Sequence, residues 1–182
     1  MHTKLITKNP VLSSKIKKLN LGCGRDIRRG YVNSDILNID GVDVVHDINK
    51  FPYPFKDNTF DEIRCWAVLC YAKNIVKVMD ELHRISKNRA ILNIHEPHYN
   101  NIGRYNEPYM RRVFGRCSFD WLDQNCINEF SNTRTNKKFI ILNVKEIPTR
   151  FGRLFPKFIR KYLTLILNEV CVATEFKIKV LK

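Results

Sequence analysis

The sequence predicts one α/β domain built on a mostly parallel sheet whose last strand runs antiparallel. Short runs rich in apolar residues, Val or Tyr alternate with turn formers and one strongly periodic helix, the pattern of strands joined by crossings. The early runs are close to continuously apolar, as strands covered on both faces are. The final run alternates strictly, as a half-exposed antiparallel edge does. At 182 residues the chain suits a single domain that buries about 70% of its unfolded surface without help from metal or disulfide.

Residues 1–16 read as a lead-in, 17–95 as one half of the domain and 96–182 as the other. The first strand, Lys17–Leu21, runs straight into Gly22-Cys23-Gly24. Tyr31–Asp35 and Asp43–His46 follow as short strands, with the turn formers Asn38, Asp40 and Gly41 between them. FPYPFKDNTF is a loop, because hydrophobic-proline steps continue neither a helix nor a central strand. Phe60–Trp66 is the fourth strand. In Lys73–Ser86, Ile75, Val78, Met79, Leu82 and Ile85 recur at three- and four-residue steps, which predicts an amphipathic helix. Arg89–His95 is the fifth strand, and Ser118 is placed to cap a short helix reaching Asn125. Phe139–Glu146 is the sixth strand. Ala173–Leu181 is the last, with Phe176, Ile178 and Val180 alternating against Lys177 and Lys179. Between these two, Arg153–Asn168 is basic at its start and apolar at its end, which fits a core-packing helix better than one lying on a membrane.

The formal net charge is +14, which fits an acidic or nucleic-acid partner. It fits equally a coding bias, since Lys, Asn and Ile number 18, 18 and 19. No apolar run approaches the ~20 residues of a membrane span, and nothing reads as a signal peptide, so the expected location is the cytoplasm. Cys23, Cys65, Cys70, Cys117, Cys126 and Cys171 form no metal-ligand spacing, and reduced thiols without zinc are expected.

The chemistry concentrates at strand ends. Gly22-Cys23-Gly24 follows the first strand, Asp35 ends the second, and Asp47 follows the third with Ile48 beside it. Ligands of open α/β sheets sit outside the carboxyl ends of the strands. Glycines there let backbone N–H groups approach, and carboxylates there can accept from a ribose or meet the polar edge of a base. Each feature alone is also a turn former or a turn cap. Their succession on three strands points to a nucleotide pocket.

LNLGCG, YVNSDI, GVDVVHDI, PYPFKDNTFDEI and LHRISKNRAILNI, in this order, resemble the class I S-adenosylmethionine-dependent methyltransferases, in particular a compact, type 11-like branch. The resemblance covers about residues 17–122. It implies a Rossmann-like sheet with an antiparallel last strand, helices on both faces, and S-adenosylmethionine as cofactor. By the same resemblance Gly22, Cys23 and Gly24 would contact the methionine part, Asp35 the ribose, Asp47 and Ile48 the adenine, and Trp66 would line the pocket. A dinucleotide dehydrogenase fits less well, because the third glycine of its motif falls on Ile27. Three stretches depart from the family pattern: Cys65–Tyr71 after the fourth strand, Lys87-Asn88-Arg89 before the fifth, and Glu107-Pro108-Tyr109-Met110 after it.

Methyl transfer from a sulfonium relies mainly on alignment, and a general base helps only when the acceptor must lose a proton. The candidates are His95, Glu96 and His98, which otherwise form a hydrogen-bonded loop under Pro97. Tyr99, Arg104, Arg111 and Arg112 are candidate substrate contacts, since arginines grip phosphate or carboxylate; as a solvated loop they need no such role. The sequence therefore reads as a methyltransferase with an unidentified, anionic acceptor. The alternative is a degenerate member that keeps the fold as a nucleotide-binding or interaction module.

Overall fold

A computed structural model describes residues 16–123 and 136–182. Seven strands form one sheet: β1 (Lys18–Leu21), β2 (Val32–Asp35), β3 (Val44–Val45), β4 (Phe60–Trp66), β5 (Ser86–Pro97), β6 (Lys138–Pro148) and β7 (Cys171–Leu181). Their order is β3-β2-β1-β4-β5-β7-β6. The pairs from β3 to β5 are parallel, and β7 is antiparallel to both β5 and β6. The mostly parallel sheet with an antiparallel last strand is as expected.

The edge is not. β7 lies between β5 and β6, so β6 closes that side of the sheet. Alternation in β7 reports the two faces of an interior strand: Phe176, Ile178 and Val180 are buried while Lys177 stands exposed.

Register makes the sheet amphipathic, because residues side by side in a ladder point to the same face. Leu19, Val32, Ile63, Leu92, Ile178 and Ile141 form one apolar row across six strands. One residue along on five strands, and two along on β6 where an irregularity shifts the register, Asn20, Asn33, Arg64, Asn93, Lys177 and Asn143 form a polar row on the other face. The helix α1 (Ile75–Ile85) packs Val78, Met79, Leu82 and Ile85 into the core with the apolar row. It starts where the Asn74 side chain accepts from the Lys77 N–H, and stops where Ser86 turns extended to begin β5.

Two local expectations are corrected. Residues 120–122 make a single 3₁₀ turn, and the Ser118 hydroxyl accepts from the Gly115 N–H instead of capping a helix. Asn125, the expected end of that helix, lies outside the described residues, as does Cys126. In place of a core-packing helix over Arg153–Asn168 there is α2 (Lys157–Leu163), in which no residue is buried. No described helix is long and apolar enough to cross a membrane.

Candidate functional site

A cavity of about 860 Å³ opens at the carboxyl ends of β1, β2 and β4, large enough for a nucleoside-sized ligand. Its β1 side is the glycine turn. The Gly22 and Cys23 N–H groups both donate to the Ser34 carbonyl, at 2.8 and 3.1 Å, which folds the turn back over β2. Gly22 has φ +67° and Gly24 φ +50°. At Gly22 a Cβ would lie 2.1 Å from Val68 Cγ2, so the glycine is required by close packing against the β4 side; at Gly24 a Cβ would meet nothing.

Asp35 lines the cavity at the end of β2. Its Oδ2 accepts from the Gly24 N–H at 2.7 Å and its Oδ1 from the Leu37 N–H at 3.0 Å. Each oxygen retains a second lone pair for a ligand hydroxyl. Asp47 and Ile48 lie beyond β3 in the same cavity. Asp47 Oδ1 accepts from the Asn49 N–H at 2.9 Å, and Asn49 Oδ1 in turn accepts from the Lys73 N–H at 2.7 Å. Asn49 thus ties the β3 end to the turn that follows β4. His46, also on the wall, is held below the ordinary imidazole range by burial.

Trp66 ends β4 and lines the cavity. Its ring stacks on His95 at 3.8 Å between centroids, within 3° of parallel, and the Arg64 guanidinium lies 4.3 Å from its centroid. His95 therefore braces the wall from β5, its Nδ1 paired with Glu175 at 3.2 Å.

The three candidate bases do not line the cavity. Glu96 is fully buried and accepts from three successive backbone N–H groups, those of Val68, Leu69 and Cys70, at 3.1, 2.8 and 3.0 Å. Burial pushes its carboxyl up to about 7, opposed by those three bonds. It is the clamp of the turn after β4. His98, also fully buried, accepts from the Asn100 N–H through Nδ1 at 3.1 Å, which assigns the proton to Nε2, facing Glu146 at 3.4 Å.

Of the candidate substrate residues, Arg111 alone lines the cavity. Tyr99 donates to the Thr164 hydroxyl at 3.1 Å, and Arg104 lies over the Tyr105 ring. Arg112 donates from Nε to the Ala72 carbonyl at 3.2 Å. The Arg111 and Arg112 N–H groups both reach the Cys70 carbonyl, at 2.8 and 3.1 Å, stitching this segment to the turn after β4. That stitch sets Arg111 in one cavity with Lys73 and Tyr71, joined by Glu107 and Tyr109. Sequence reasoning missed Lys73 and Asn49. Lys73 read as the first turn of a helix, and only the Asp-x-Asn spacing of Asp47 and Asn49 hinted at the tie between them.

Residues 26–94 match the family model of a methyltransferase domain. The fold is similar to that of YcgJ from Bacillus subtilis, at TM-score 0.59 and 12% identity over 92% of each chain. It is similar to a SAM-dependent methyltransferase from Archaeoglobus fulgidus, at TM-score 0.55 and 13% identity over 93% of this chain and 88% of that one. It is also similar to the [4+2]-cyclase SpnF, at TM-score 0.60 and 14% identity over 94% of this chain and 76% of that one. No curated protein sequence matches the chain. The fold is that of the class I S-adenosylmethionine-dependent methyltransferases.

Proposed function

We propose that the chain is an S-adenosylmethionine-dependent methyltransferase whose acceptor carries an anionic group. The carrying observation is a single cavity that holds Gly22, Cys23, Gly24, Asp35 and Asp47 together with the cations Lys73 and Arg111. The donor set fits the cofactor. Asp35 has lone pairs for the ribose hydroxyls, Asp47 and Ile48 suit the adenine, and the glycine turn admits the methionine part without a side chain in the way. Bound there, S-adenosylmethionine supplies a methyl group already activated by its sulfonium.

The rest falls to the chain. Lys73 and Arg111 attract and orient an anion, with Arg111 fixed by its backbone bond to Cys70. Trp66, Val68 and Leu37 supply apolar wall that excludes water. An acceptor that arrives ionised has no proton to lose, so burying His98 and Glu96 away from the cavity costs such a reaction nothing. The same burial favours a second reading, a module that binds the nucleotide without transferring methyl.

Calorimetry with S-adenosylhomocysteine and transfer of labelled methyl to small carboxylates, phosphates and thiols separate the two. Lys73→Ala and Arg111→Ala should each lower kcat/KM for an anionic acceptor by about 10–100-fold, the loss of one charge-assisted contact. Cofactor affinity should stay within about twofold of the parent. Cofactor binding with no transfer to any acceptor supports the module; a preferred neutral acceptor, or undiminished transfer by both variants, removes the anionic reading.

A further inference from the structure

The segment between β6 and β7 is held in place by its backbone rather than by its apolar side chains. Asn100 Nδ2 donates to the Leu167 carbonyl at 2.6 Å, Asn100 Oδ1 accepts from the Val170 N–H at 2.7 Å, and Arg160 Nε donates to the Phe155 carbonyl at 3.0 Å. Gly152 is wedged so closely that a Cβ would lie 1.9 Å from the Val170 carbonyl oxygen. The large side chains are left outside: Leu154 is 75% exposed, Phe158 70%, Tyr162 60%, Leu165 75% and Ile166 77%. So much apolar surface on one short segment marks an interaction site, not scattered surface residues.

Its charge says what it meets. Residues 147–168 contain Arg150, Arg153, Lys157, Arg160 and Lys161 and no acid. The flanking acids are engaged, Glu146 with His98 and Glu169 with the Ile102 N–H. Within α2, Lys157 and Lys161 form one exposed i,i+4 stripe and Phe158 and Tyr162 the adjacent one, with Lys161 4.7 Å from the Tyr162 ring centroid. Leu165 and Ile166 extend the apolar side by another turn. Aromatic and aliphatic groups beside a line of cations complement an interface that is apolar within and anionic at its surface. A nucleic acid or an acidic protein would use the cations and leave the aliphatic groups in water.

We propose that residues 151–167 are a docking surface for an anionic phospholipid bilayer, with the apolar side chains entering the headgroup boundary and Arg153, Lys157 and Lys161 meeting lipid phosphates. The test is co-sedimentation of the full chain with phosphatidylcholine vesicles with and without phosphatidylserine, over a range of salt. Two variants accompany it, Phe158→Ser/Leu165→Ser/Ile166→Ser and Lys157→Glu/Lys161→Glu. All five positions are exposed or carry no buried packing, and an unchanged thermal midpoint verifies the fold. The parent should partition to phosphatidylserine vesicles with an affinity that falls as salt rises, and each variant should lose about tenfold or more. Absence of parent binding overturns the proposal. Loss on charge reversal with no effect of the apolar triple, together with competition by RNA, assigns the surface to a polyanion and overturns it. So does an oligomer of the parent that the apolar triple dissolves while vesicle binding is absent.

Discussion

Gly22→Ala tests the packing that joins the glycine turn to the rest of the cavity. The position sits at φ +67°, where a Cβ costs about 1–2 kcal/mol in backbone strain. The new methyl would also lie 2.1 Å from Val68 Cγ2 and 2.4 Å from its Cβ, well inside contact distance. Val68 has little room to retreat, because its N–H is held by Glu96 at 3.1 Å and the next N–H, of Leu69, at 2.8 Å. Overpacking of this kind costs about 1–3 kcal/mol. The variant should therefore lose roughly 2–5 kcal/mol, a large share of the 5–15 kcal/mol typical of a domain. Denaturant titration gives the loss, and calorimetry should show weaker S-adenosylhomocysteine binding as Val68 is pushed into the cavity. Val68→Gly, which removes both the Cγ2 and the Cβ that the new methyl would strike, isolates the steric part. In that background the cost of Gly22→Ala should shrink by about 1–3 kcal/mol, the coupling expected of residues in contact. An equal cost in both backgrounds would refute the steric reasoning, and a Gly22→Ala protein as stable as the parent would refute all of it.

Asp35→Ala should weaken S-adenosylhomocysteine binding by about 1–3 kcal/mol in calorimetry, since a charged acceptor is lost and the Gly24 and Leu37 N–H groups lose their partner; unchanged affinity would move the ribose elsewhere. Glu96→Gln turns an amide NH₂ toward backbone donors and leaves one unpaired, costing about 1–3 kcal/mol at acidic pH. The Glu96 carboxyl is raised from 4.5 to about 7 in the fold, so its contribution is full below about pH 4.5 and is lost as pH rises through 7, by about 3 kcal/mol. The gap between parent and variant should close over that window, as followed by denaturation at several pH values. A catalytic Glu96 would instead show lost turnover at unchanged stability.

The legible part of the fold was the part set by local pattern. Phe60–Trp66 and the helical periodicity from Ile75 to Ile85 carry their own signals, and the observed elements fall on them. What alternation could not tell was position in the sheet, because an interior strand with one polar face and an edge strand give the same pattern. The candidate bases show the same limit from the other side. Along β5 and just past its end, Ile94, Glu96 and His98 are buried while His95 is only partly so. Neighbours in a strand point to opposite faces, so His95 and Glu96 could not both face one pocket. Arg111 and Lys73 share the cavity through bonds spanning some forty residues, from the Arg111 and Arg112 N–H groups to the Cys70 carbonyl and from Arg112 Nε to the Ala72 carbonyl, which no local pattern carries. The segment after β6 reads as a core-packing helix from its apolar end, but apolar residues in the sequence do not say whether they are covered, and in the fold no residue of α2 is buried.

The polar row across the sheet explains how the domain manages with so short a turn between β1 and β2. Parallel sheets are ordinarily covered on both faces, and their strands are apolar on both. Here residues 22–31 connect β1 to β2 through turns alone, so no helix arises at that crossing to cover the face. The chain has made that face polar instead. Arg64, 7% exposed, donates to Asn20 at 2.9 Å and pairs with Asp26 at 2.9 Å. Glu62 accepts from Tyr31 and Asn93, at 2.8 and 3.1 Å, and pairs with Lys18 at 3.0 Å. Buried polar groups satisfied in this way cost little, whereas an apolar row in the same place would demand a covering layer. Trp66 is the large apolar side chain on this face at the cavity end, and it is the one braced by Arg64 and His95. The network that substitutes for a helix thus also sets the wall against which the ligand would lie.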